Sequence, residues 1–389
     1  MRQMKHMHVL VLPKWYPGRH DPQLGDFIRK QTLAVALQHR VSVVAVIALP
    51  GSTERFAEEL EEREGAWELR CYYTPSKSAW LGWRKTVNLW RYWTTGMRGL
   101  RRVWRERGAP DLVHVQIMVR PALLAFWLRL RHRIPYIISE QSSEYLDGTW
   151  ASKNALFKAI NYFLFRRASA VTAVGPTLAE AITAHGLFKN VEVVPNVVPG
   201  LDLPLPAAGP AHRFMVVADL VDRTKNVSGV LRALASCRER GIPAELDILG
   251  GGTDEKMLRE QAHALGLNGG VRFHGRISNS EVLRHMAGTG SVIINSNVET
   301  FSVVTGEALA LGRPVIATRC GGPVAFISPE NGILIDVRND DQLVQAMVNM
   351  VAEHHHYGPD AVRRSVGQRF SPGAVAERFS AVYEKIHAD

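Results

Sequence analysis

The sequence predicts an α/β protein of two doubly wound parallel sheets, on three observations. Apolar strand-length runs alternate with helix-period stretches, the alternation breaks once at a proline-rich stretch, and it then resumes. The chain of 389 residues is also too long for one ordinary core and of the usual length for two. In the first half, residues 8–12 read as strand, 25–38 as helix and 41–48 as strand, and a long helical region follows. Residues 112–116, 121–131 and 136–139 repeat strand, helix, strand, and 170–174, 177–185 and 191–194 do so again. Pro195, Pro199, Pro204, Pro206 and Pro210 are too many for a central strand or a helix interior, so residues 195–210 read as a linker and hinge. The second series has strands at 213–218, 245–249, 271–273, 291–294, 314–317 and 333–335, with helices at 227–239, 254–265, 280–288, 304–311 and 340–353. The predicted domains are 1–198 and 199–370, with 371–389 a terminal helix crossing back to the first domain. Two such sheets facing a central cleft would bind ligands at their strand C-termini.

Composition narrows the class. Hydrophobic residues make up 46% and charged residues 22%, which excludes disordered and collagen-like chains. Cys71, Cys237 and Cys320 lie far apart without C-x-x-C spacing, which argues against a disulfide framework or a thiolate zinc site and for a reducing cytoplasm. The apolar run from Val9 to Leu12 is too short for a signal peptide, and no stretch reaches the roughly 20 residues that span a bilayer. Residues 1–200 carry 28 Lys and Arg against 16 acids, whereas residues 201–389 carry 19 against 21. A first half at +12 beside a second at −2 calls for an anionic neighbour, be it a phosphate-bearing substrate, anionic lipid or nucleic acid.

The chemistry concentrates in residues 297–318. Glu299 follows a strand, and Glu307 lies a turn inside the next helix. Backbone N–H groups of Phe301, Ser302 and Val303 sit where the helix dipole favours an anion, so a phosphate could dock with a carboxylate on either side. Carboxylates accept from vicinal hydroxyls, which suits a sugar diphosphate. A glycosidase pair also has two carboxylates around a sugar, but the phosphate nest argues against hydrolysis.

Glu299 and Glu307 in E-x7-E spacing, followed by Ala-Leu-Ala-Leu-Gly-Arg-Pro-Val-Ile-Ala-Thr318, resemble the hallmark of the family 4 retaining glycosyltransferases, group 1, with the double-Rossmann GT-B fold. Pro110-Asp-Leu-Val-His114, Pro135-Tyr-Ile-Ile-Ser-Glu140, Val194-Pro-Asn196 and the Gly-rich Ile248-Leu-Gly-Gly-Gly-Thr-Asp254 look like further landmarks. The resemblance implies a hexosyltransferase that uses a nucleotide diphosphate sugar, with a saccharide or lipid-linked acceptor, in cell-surface glycan assembly. No cofactor or metal is implied. Glu299 would hold donor sugar hydroxyls, Phe301, Ser302 and Val303 the sugar phosphate, and Glu307 the ribose. Gly250 and Gly251 would also bind donor, and the backbone at Ile277 would read the nucleobase edge. Lys225 matches the family's lysine on the departing diphosphate, but Asp219 stands where the family has an arginine, and Arg223 could replace it from a shifted place. A catalytically degenerate nucleotide-binding protein is therefore the alternative.

In the first domain, Gly25 opens a helix and would approach donor phosphate, and the loop with Trp15 and Tyr16 would meet acceptor. His114, Glu140 and Gln141 are the remaining acceptor or proton-handling candidates, although the family often has histidine at 141. Residues 80–107 carry Trp90, Trp93, Met97, Leu100 and Trp104 at helical spacing among eight cations and one acid, Glu106. Such a helix could pack its stripe on the sheet, or rest on an anionic membrane and place the protein peripherally on the inner face of the plasma membrane. No nucleic-acid motif is present, and His354, His355 and His356 point in different directions on any helix.

Overall fold

The computed structural model describes residues 6–388 and divides into two compact units, residues 1–197 with 372–389, and residues 198–371. In the first unit the chain runs β1 (His8–Pro13), α1 (Asp26–Ala36), β2 (Arg40–Ala48), β3 (Phe56–Arg63), β4 (Ala66–Tyr73), α2 (Leu81–Arg107), β5 (Leu112–Gln116), α3 (Arg120–His132) and β6 (Tyr136–Glu140). It continues through α4 (Thr149–Ser152), α5 (Ala155–Arg167), β7 (Ala170–Ala173), α6 (Pro176–Ala184) and β8 (Val191–Val193). The sheet has the order β3-β4-β2-β1-β5-β6-β7-β8, parallel throughout except for β3. Strands such as β1, buried at every position, read as unbroken apolar runs because helices cover both faces.

The long helix expected after residue 48 begins only at Leu81, because a hairpin, β3–β4, occupies part of that stretch. Its sequence, rich in Glu, Arg, Leu and Ala, carries helix formers, but Glu64 and Gly65 take positive φ and turn the chain back on itself. Glu68 on β4 is fully buried and is bridged by Arg29 at 2.8 Å and Arg70 at 2.7 Å, so tertiary charge pairing overrides local propensity.

The second unit contains β9 (Arg213–Val217), α7 (Asp222–Lys225), α8 (Val227–Glu239), β10 (Glu245–Leu249), α9 (Glu255–Ala264), β11 (Val271–Gly275), α10 (Asn279–Ala287) and β12 (Ser291–Ile294). Then come α11 (Val303–Ala310), β13 (Val315–Thr318), β14 (Gly332–Ile335), α12 (Asp340–Ala352) and α13 (Pro359–Val366). Its six parallel strands lie in the order β11-β10-β9-β12-β13-β14, the doubly wound arrangement whose direction of winding reverses between β9 and β12. Leu231, Leu234, Leu246, Ile248, Leu343 and Met347 form part of its core.

The chain then returns to the first unit as α14 (Pro372–Ala388), whose Val375, Phe379, Val382 and Tyr383 join the core around β1, β2 and α1. The contact is polar as well, since His39 Nε2 lies 2.8 Å from Ser380 Oγ.

Candidate active site

The winding reversal between β9 and β12 places a small cavity of about 70 Å³ at their C-terminal ends. Residues 216–218 and 293–296 form its walls, and Lys225, Glu299, Ser302 and Val303 face it. Lys225 Nζ donates to Glu299 Oε1 at 2.6 Å, and Ser296 Oγ donates to the same oxygen at 2.8 Å. Burial works against the Lys225 ammonium, yet the adjacent Glu299 carboxylate outweighs it and holds its pKa above the ordinary lysine value. The loop bearing Glu299 is fixed by neighbouring backbone. The Glu299 N–H donates to the Cys320 carbonyl at 2.9 Å, and the Gly322 N–H donates to the Glu299 carbonyl at 2.8 Å.

Phe301 anchors the loop below, packing against Phe326 and Phe370 at ring separations of 5.0 and 5.6 Å. Ser302 turns the chain into α11 with φ 69° and ψ 74°, and no side chain caps the first turn of that helix, which also carries no acid. Its start is therefore open to an anion. Glu307, only 3% exposed, accepts from Asn279 Nδ2 at 2.8 Å. Because Asn279 lies two residues past Ile277, this bond brings the Ile277 loop and Glu307 together.

At the end of β10, Gly250 has φ 130°, and a Cβ there would lie 1.9 Å from the Ala218 carbonyl oxygen, so only glycine fits. Beside it, Gly251 is more open, the nearest neighbours of a Cβ being Glu255 Oε2 at 3.6 Å and Arg276 Cβ at 4.0 Å.

Arg223 departs from expectation. It lies two residues before Lys225 on the single turn of α7 and so points elsewhere, exposed and lining a separate pocket with Asn226, Arg232, Asn297 and residues 336–341. Sequence reasoning missed Arg276, whose Nη2 donates to Asp219 Oδ1 at 3.0 Å. The acid standing at the family's arginine position thus holds a guanidinium from the loop after β11. A basic residue directly before Ile277, in the loop expected to border the nucleobase, was the available signal.

In the first unit, Gly25 precedes α1 with φ 72°, and Trp15 is half-buried with Lys14 Nζ 4.9 Å from its ring. Tyr16 is buried. Three candidates there prove internal. His114 is 1% exposed, with Nδ1 2.8 Å from the Tyr383 hydroxyl and Nε2 2.6 Å from Ser139 Oγ, and burial drives its pKa down to about 3. Both ring nitrogens are engaged, so it is corrected from a proton-handling residue to a core one. Gln141 is likewise buried and donates to Gln31 Oε1 at 3.1 Å and Gln116 Oε1 at 2.9 Å. Glu140 is fully buried and accepts the backbone N–H groups of Gln141 and Ser142 at 3.0 Å each and of Met118 at 3.2 Å. Burial pushes its carboxyl up to about 7 against those three donors. It shapes loops rather than meeting acceptor.

On α2, Leu100 is buried and Trp93, Met97 and Trp104 are half-buried, but Trp90 is 55% exposed. Trp80, Leu81 and Trp83 at the helix start are exposed as well, while farther along Arg102 pairs with Glu58 at 2.7 Å. Among the described residues no helix is long and apolar enough to cross a membrane, and no cluster of His, Cys, Asp and Glu is placed to hold a metal.

Residues 209–357 match the family model of glycosyl transferases group 1, and residues 29–197 match that of a glycosyl transferase 4-like domain. The chain belongs to the group 1 glycosyltransferases. Within that family it is 28% identical over 199 residues to a lipopolysaccharide core biosynthesis glycosyltransferase, LpsE, of Rhizobium meliloti, covering 49% of this chain and 56% of that relative. The match thus spans little more than half of the relative's length. Sucrose-phosphate synthase from Thermosynechococcus elongatus superposes with a TM-score of 0.76 at 18% identity, covering 98% of this chain and 99% of that one. HepE from Anabaena, in complex with UDP and glucose, superposes with a TM-score of 0.70 at 18% identity, covering 98% and 100%. These likenesses carry the GT-B fold class.

Proposed function

We propose that this group 1 glycosyltransferase moves a hexose, with retention of anomeric configuration and without a metal, from a nucleotide diphosphate sugar to a saccharide or lipid-linked acceptor in cell-surface glycan assembly. The carrying observation is the meeting of Lys225 and Glu299 with the uncapped start of α11 where β9 and β12 diverge. The N–H groups of Phe301, Ser302 and Val303 receive the sugar phosphate, and Lys225 neutralises charge on the departing diphosphate. Glu299, held in place by Lys225 and Ser296, accepts from donor sugar hydroxyls. Glu307 and Asn279 hold the ribose, and Ile277 with Gly250 and Gly251 borders the nucleobase. Arg276 takes the part of a second cation beside the diphosphate. The bond from the anomeric carbon to the phosphate oxygen breaks, the acceptor oxygen bonds the same face, and its proton passes to the released phosphate. The buried, fully engaged His114 favours this route over a histidine base.

Binding is tested by thermal shift with UDP, GDP and ADP, since a ligand that binds only the native state raises Tm. The HepE complex with UDP-glucose makes uridine donors the first choice. With the donor found, the product anomer is read by proton NMR, with and without EDTA; an inverted anomer, or activity lost to EDTA, overturns the corresponding part. The exposed Asp219 favours a second reading, a nucleotide-binding protein without transfer. Nucleotide diphosphate release that requires acceptor decides against it.

The exposed Trp80, Leu81, Trp83 and Trp90, with Arg84 and Lys85 among them, support a peripheral position on an anionic membrane. Pelleting with anionic but not neutral vesicles is the expected result; equal pelleting with both removes the electrostatic part.

A further inference from the structure

A pocket of about 500 Å³ lies wholly within the first unit, at the C-terminal ends of β1, β2 and β4 and the start of α3. Its walls include the aromatic rings of Tyr16, Tyr73, Tyr92 and Phe157. Three cations line it, Lys14, Arg120 and Lys153, against one acid, Glu144. Glu144 is already engaged by Lys153 at 3.2 Å. Lys14 and Arg120 have no carboxylate at ion-pair distance among the described residues; Lys14 sits over Trp15, and Arg120 lies over Tyr92 at 5.7 Å and donates to the Tyr73 hydroxyl at 3.3 Å. Glu140, which Lys14 influences electrostatically, is committed to three backbone N–H groups. The start of α3, formed by Val119, Arg120 and Pro121, also lines the pocket, and its first turn has neither a capping side chain nor an acid.

We infer that this pocket receives the acceptor and that the acceptor is a phosphate-bearing saccharide. Two uncompensated cations supply the donors for a phosphate, the uncapped start of α3 adds its positive dipole end although Pro121 carries no N–H, and ring faces suit the apolar face of a pyranose. The assignment of this substrate class rests on the transferase reading above, but the pocket shares no residue with the nucleotide site, so the two can fail separately.

The test is calorimetric titration of the full chain with glucose 6-phosphate, glucose and a polyprenyl-phosphate-linked hexose in micelles, beside thermal shift with UDP. A phosphate-bearing probe is expected to bind at least tenfold more tightly than glucose. The soluble and the micellar probe distinguish a free sugar phosphate from a lipid-linked one. Lys14→Gln with Arg120→Gln should weaken that binding at least tenfold, Arg120→Lys should recover part of it, and the UDP shift should stay unchanged in each variant. Equal binding of glucose and glucose 6-phosphate, no binding of either phosphate-bearing probe, or undiminished binding in the double variant overturns the inference. A missing UDP shift with intact sugar-phosphate binding would overturn the nucleotide site instead.

Discussion

Unfolding the first unit should show two opposite pH dependences that mask each other, one from His114 and one from Glu140. Burial lowers the His114 pKa from 6.5 to about 3, so below 6.5 the unfolded chain binds a proton that the folded one refuses. Stability from this residue is complete above 6.5 and falls as pH drops toward 3, by about 5 kcal/mol at about 1.4 kcal/mol per pH unit. Burial raises the Glu140 pKa from 4.5 to about 7, so between those values the folded chain binds the extra proton. Stability from this residue is complete below 4.5 and falls as pH rises to 7, by about 3 kcal/mol. Between 4.5 and 6.5 the slopes cancel. The assay is urea unfolding followed by tryptophan fluorescence, because all nine tryptophans lie in the first unit. His114→Asn should lose stability with rising pH relative to the parent, and Glu140→Gln should gain it, each by about 1.4 kcal/mol per pH unit within its window. Acid-sensitive carboxylates that the variants share, such as Glu59 and Glu61, drop out of the difference. Differences from the parent that stay constant from pH 4.5 to 6.5 would refute the reasoning.

Lys225→Ala should lower kcat by about 10²–10³-fold, the usual loss for one donor at a developing anion, with an unchanged far-UV spectrum; retained turnover would remove the lysine from the site. Glu299→Gln should lower kcat/KM for the donor while leaving the UDP thermal shift in place, because its partner is the sugar. Arg276→Gln should cost at least tenfold more in kcat than Arg223→Gln, checked side by side, and a larger loss at Arg223 would restore the expectation drawn from the sequence. Gly250→Ala should destabilise the second unit by roughly 1–3 kcal/mol in a unit-specific unfolding assay, since its Cβ would meet the Ala218 carbonyl and its φ is positive.

Strand positions were legible because both sheets are covered on two faces, so that runs such as 9–12 and 292–294 stand out as unbroken apolar stretches. The hairpin was not, because its glutamates and arginines have partners far along the chain, Arg29 for Glu68 and Arg102 for Glu58. Within the candidate site, Glu299, Lys225 and Glu307 were named through their motif, and the structure brings Glu299 and Lys225 into contact. Arg223 lines a separate pocket, because spacing along the chain does not tell which way a single helical turn aims its side chains, and the pairing of Arg276 with Asp219 joins residues 57 positions apart. His114 and Gln141 were named for their chemistry, but His114 is buried against Tyr383 of α14 and Gln141 is buried against Gln31 and Gln116.

The return of α14 has a consequence for how the protein is made. A ribosome finishes all of residues 1–197 long before it reaches 372–388, so the nascent first unit must wait with a bare apolar groove where Phe379 and Tyr383 will later lodge. The second unit, contiguous in the chain, has no such delay. Trimming the tail would therefore strike the opposite end of the polypeptide, leaving residues 198–371 whole and their companion unfinished.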